Sequence, residues 1–176
     1  MKCWEINGNL DDKQTGLQNY QMFEDGVCKV KKIYDKIFGI DVMNRIPFYV
    51  DNATANSGYT PISTPVLQKI VIIKLNISSK DGESKIIYQF THELTHVVFR
   101  AYFGMDKPRA NDKEEALCTA AALMVIKMLC PNDFEFYEDY TANLEYCGYR
   151  NGVLLAKTLE YDMEYLRNEI EKYRYE

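Results

Sequence analysis

The stretch "QKIVIIKLNISSKDGESKIIYQFTHELTHVVFR" (Gln68–Arg100) decides how this chain folds, because the period of its apolar residues changes part-way along. From Ile73 the residues alternate, with Ile73, Leu75 and Ile77 on one side and Lys74 and Asn76 on the other, as in a half-buried strand. After the turn-forming "SSKDGES", Ile86, Phe90, Leu94, Val97 and Ala101 recur at helical spacing. A strand with a polar face and a central lysine suits the edge of a sheet. Lys74 and Asn76 are therefore expected on an exposed edge that can align an extended peptide by strand addition.

Outward from this stretch, the segments before Asp81 are short and mixed, and those after it are helical. "GVCKVKKIYDKIFGI" (Gly26–Ile40) sets Val27, Val30, Ile33, Tyr34, Ile37 and Phe38 at helical spacing, with Gly39 as a stop signal. "RIPFYV" reads as a short strand, and Asp51–Pro65 as a loop with a short hairpin around Gly58–Ile62. Helices are expected over about Glu83–Phe103, Asn111–Leu129 and Asn132–Tyr146, then a turn at Gly148–Gly152 and a last helix from Val153. Strands followed by helices predict one α+β domain over residues 1–176, with the helices packed on a small mixed sheet. The charged stretch Leu155–Glu176 reads as a helix on its own domain, or as a surface for a regulatory partner.

The chain has two histidines, His92 and His96, and they stand four residues apart on the helix with Glu93 directly after the first. Positions i and i+4 share one face, so the two imidazoles can hold one ion. Both lie off the apolar stripe, at the wall of a cleft rather than in the core. This is H-E-x-x-H, in which the two histidines bind zinc and the glutamate serves as general base. A catalytic zinc site needs a third protein ligand and an open position. The next helix opens "NDKEEALCTAAALM", where Glu115, Cys118, Thr119, Ala122 and Ile126 share a face and small residues allow close approach. Glu115 and Glu114 are the leading carboxylates, Asp106 and Asp112 weaker ones, and Cys118 suits a buried apolar role.

The combination of "HELTH" with "EEALCTAAALM" resembles the gluzincin metallopeptidases, which include thermolysin-like, aminopeptidase-N-like and ImmA-type proteases. The resemblance covers roughly Ile70–Leu129. It implies a zincin-like fold, with His92, His96 and Glu115 as ligands of Zn2+, Glu93 as general base and a peptide or protein as substrate. Two departures stand out. Thermolysin-like enzymes carry an aspartate four residues after the ligand glutamate to orient a histidine, and here that residue is Thr119. Some also use a later histidine at the oxyanion, and none remains, so Tyr146, Tyr149 and Arg150 become the candidates for that role. The alternative expectation is a catalytically inactive zincin-fold binding or regulatory module.

Composition narrows the field further. A net charge of -5 with no long Lys/Arg run points away from nucleic acid. Five cysteines, an odd number without a C-x-x-C pair, do not make a disulfide framework. No apolar stretch reaches the roughly 18 residues of a membrane span, and the first residues lack an apolar signal core, so a cytoplasmic location is expected.

Overall fold

The change of period near Asp81 marks a change of layer. A computed structural model describes residues 3–7, 20–53 and 60–175, and it is an α+β structure. Strands β1 (Trp4–Ile6), β2 (Phe48–Asn52), β3 (Ile62–Val66) and β4 (Ile70–Leu75) form a mixed sheet. Their order is β1-β2-β4-β3, parallel except for the antiparallel β3–β4 pair. Helices α1 (Tyr20–Phe38) and α2 (Ile40–Met43) precede β2. After the sheet come α3 (Glu83–Phe103), α4 (Asp112–Leu129), α5 (Phe134–Ala142), α6 (Cys147–Thr158) and α7 (Met163–Lys172). No helix among the described residues is long and apolar enough to cross a membrane.

The alternation read in the sequence puts Val71, Ile73 and Leu75 of β4 into the core beside Phe48 and Val50 of β2. The same core continues through Phe90 and Leu94 of α3, Leu123 of α4, Val153 of α6 and Leu166 of α7. α3 and α4 are the central pair. Asn111 caps α4 by accepting from the Glu114 backbone N–H at 3.0 Å, a contribution of about 1 kcal/mol. Gly104, with φ 95°, ends α3.

Four expectations need correction. β4 is not an edge: Lys74 pairs with Asp51 on one side and Ile62 on the other, so among the described residues the edges are β1 and β3. The polar face of β4 reflects a sheet whose outward side is only half covered, and alternation alone cannot separate that case from an edge strand. Asn76 sits beyond the strand, and its backbone N–H donates to the Gln89 side chain at 2.8 Å. The β3–β4 hairpin turns at Leu67 and Gln68, whose φ of 51° and 54° fit the primed turns of right-twisted strands; of the hairpin expected around Gly58–Ile62, residues 58 and 59 lie outside the described residues, and Ile62–Pro65, expected as loop, belong to β3. The third helix is shorter than read, ending at Ala142. Gly148 and Gly152 are not a turn but lie inside α6, and the chain breaks instead at Glu160 and Tyr161, both with positive φ.

Candidate metal centre

The helical spacing of His92 and His96 brings their rings to 5.2 Å between centroids. α4 crosses them with its first turn, so that Glu115 meets both. His92 Nε2 lies 3.1 Å from Glu115 Oε2, and His96 Nε2 lies 3.6 Å from Glu115 Oε1. One ligand atom from each of the three residues falls within a set no wider than 4.8 Å. A tetrahedral ion with bonds of about 2.0–2.1 Å spaces its ligand atoms roughly 3.3 Å apart, and the two distances from histidine nitrogen to Glu115 oxygen lie on either side of that value. Burial works to raise the Glu115 carboxyl, but the two imidazoles outweigh it and hold it well below the usual carboxylate range. Burial likewise opposes charge on His96, and its contacts with Cys118, Glu114 and Glu115 reverse that, so it binds its proton more tightly than usual.

The other ring nitrogens are held from behind. His96 Nδ1 donates to Glu114 Oε1 at 2.8 Å, and Thr119 Oγ1 lies 3.4 Å from His92 Nδ1. Orienting partners of this kind fix the tautomer that leaves Nε2 free for a metal. Thr119 thus sets its hydroxyl behind one histidine of the pair. Glu114 is separated from the converging Nε2 atoms by the His96 ring. Its carboxylate is taken up by His96, Lys107 and Tyr175, which hold it below its ordinary range despite burial. His96, Glu114 and Cys118 also group closely, but the Lys107 ammonium already neutralises that carboxylate, and burial pushes the Cys118 thiol up to about 12. The donor set left open to an ion is His92, His96 and Glu115.

No known protein family, curated protein or solved structure matches this chain.

Glu93 faces the same cleft, a volume of about 640 Å³ whose floor includes His92, Glu93 and Gln89. Burial raises its carboxyl above the usual range, against the pull of the two histidines. Ser63, on the edge strand β3, lowers it slightly in return. Thr60 and Pro61, just before β3, also line the cleft, and Phe136, Tyr137, Tyr140 and Leu144 form an aromatic and apolar wall, with Phe136 65% exposed.

Of the three oxyanion candidates, Tyr149 lines the cleft, with its ring edge-on to His92 at 5.7 Å. Tyr146 does not: its hydroxyl donates to Asp112 Oδ1 at 2.5 Å on the exposed side of α6. That contact, with Cys147 on the other oxygen, also removes Asp112 from the ligand set. Arg150 is exposed and does not line the cleft. α6 reaches the site because it carries glycines where it crosses α4. A Cβ on Gly148 would stand 3.0 Å from Glu115 Cβ, and one on Gly152 would stand 2.5 Å from Thr119 Cβ. The G-x-x-x-G spacing in "CGYRNG" is the sequence signal for this contact. Lys107, Tyr175 and Ser63 had no local signal.

Proposed function

We propose that this chain is a zinc-dependent peptidase with a zincin-like fold of the gluzincin type. The observation that carries the proposal is the convergence of His92 Nε2, His96 Nε2 and the Glu115 carboxylate beside a buried Glu93 at the floor of an open cleft. His92, His96 and Glu115 would hold the ion. A zinc ion in that position supplies Lewis acidity to the scissile carbonyl and lowers the pKa of a water towards about 7.

The chain's own groups supply the rest. Glu93, with its raised affinity for a proton, accepts one from the attacking water and delivers it to the leaving amine as the C–N bond breaks. Among the described residues the outer side of β3 carries no further strand, so it can pair with an extended peptide backbone. The phenol of Tyr149 faces the cleft and is kept protonated by burial and by the neighbouring Glu115 and Glu93, so it can donate to a developing oxyanion. Phe136 and Tyr140, stacked with centroids 6.2 Å apart, give the aromatic wall a preference for a bulky apolar side chain.

Zinc content and hydrolysis of a peptide library test the proposal together. Glu93→Gln is expected to keep its zinc and to lose about 10²–10⁴-fold in rate. Full activity in that variant would exclude Glu93 as the base. A wild type that binds zinc stoichiometrically and cleaves no peptide would instead make the chain a binding module.

A further inference from the structure

Behind the metal face, side chains from three separate segments close on one carboxylate. Glu114 accepts from His96 Nδ1 at 2.8 Å, from Lys107 Nζ at 2.8 and 2.7 Å, and from the Tyr175 hydroxyl at 2.5 Å. The side chains of Lys107 and Glu114 are 2% and 0% exposed. Lys107 comes from the loop between α3 and α4, and Tyr175 from the segment after α7. The Tyr175 ring packs edge-on against Phe103 and Tyr173. The Lys107 ammonium lies 5.2 Å from the centre of the Tyr175 ring and 6.0 Å from that of Phe99.

A carboxylate without water must find every partner within the protein, and a single imidazole is too few. Lys107 balances the charge of Glu114, and Tyr175 occupies a further lone pair. With both in place Glu114 has one orientation, and so does the His96 ring it holds. We propose that Lys107 and Tyr175 are positioning residues for the metal centre, so that docking of the segment 173–175 and affinity for zinc are coupled. The inference rests on the zinc reading of the site. The coupling is reciprocal, as any linkage between two binding equilibria must be: whatever loosens the segment weakens the metal, and metal holds the segment down.

Zinc affinity, measured by competition with a chromogenic chelator, tests this on the full chain without reference to activity. Tyr175→Phe keeps the ring and its packing and removes only the donor to Glu114; about ten-fold weaker zinc binding is expected, and at least as much for Lys107→Met. Tyr102→Phe, which removes a hydroxyl that donates to Glu171 on the surface nearby, should bind as wild type. The reverse direction is read by trypsin, since Lys172 and Arg174 are exposed. Saturating zinc should slow nicking there in the wild type and lose that effect in Glu114→Gln. Should Lys107→Met not fold, Tyr175→Phe decides alone. Wild-type affinity in Tyr175→Phe overturns the coupling and leaves the zinc site standing, whereas a wild type that takes up no zinc overturns both.

Discussion

Tyr149 shows how narrowly a residue's role depends on its direction. Tyr146 and Tyr149 sit three residues apart with rings 5.0 Å from each other, yet one donates to Asp112 outside the cleft and the other borders His92. Their sequence context is nearly the same, so only the placement of α6 on α4 distinguishes them. Tyr149→Phe is expected to leave zinc content unchanged and to lower kcat by about 10²-fold, in the range found when one oxyanion donor is removed. The effect should fall on kcat rather than KM, because the donor acts on charge that appears only in the transition state. An unaltered kcat in Tyr149→Phe would remove it from the mechanism. The candidate metal ligands were more legible: the i,i+4 pair and the glutamate helix were both readable. The choice between Glu115 and Glu114 was not, because adjacent residues on one helix point about 100° apart and the crossing of α3 selects between them.

At the scale of elements, α3 and α4 were readable almost to the residue because capping and breaking residues stand at their ends: Asn111 at a start, Gly104 and Pro131 after the stops. α6 was not, because glycines four apart mark a turn in one context and a close helix crossing in another. Here they bring α6 onto the first turns of α4, and that contact places Tyr149. Gly152→Ala would set a methyl group 2.9 Å from the Ala116 carbonyl oxygen and 2.5 Å from Thr119 Cβ, both on a helix buried on every side. Neither can yield without moving α4, so a loss of about 1–3 kcal/mol is expected in a thermal or denaturant melt. Because Thr119 backs His92, the same variant should also bind zinc more weakly. A melting point equal to that of the wild type would mean that α6 does not lie this close.

For the whole molecule, the α+β order was visible in where the apolar period changes, whereas the partners that complete the site were not. Lys107 and Tyr175 reach Glu114 from positions 7 and 61 residues away, and no local pattern announces a contact of that kind. The edge of the sheet was likewise a property of strand order, which a single strand's alternation does not contain. The three candidate metal donors join α3 to α4, two helices that share one core. An ion there cross-links two elements that the unfolded chain cannot hold together, so zinc should stabilise the whole fold rather than one loop. By mass action, free zinc at one hundred times its Kd adds about 2.7 kcal/mol. With about 2–4 °C per kcal/mol for a chain of this size, the melting midpoint should rise by roughly 5–10 °C. Chelation should reverse the shift, His92→Ala should abolish it, and Glu93→Gln, which leaves the donors intact, should keep it. Zinc that moved the midpoint of His92→Ala as far as that of the wild type would be binding somewhere other than between α3 and α4.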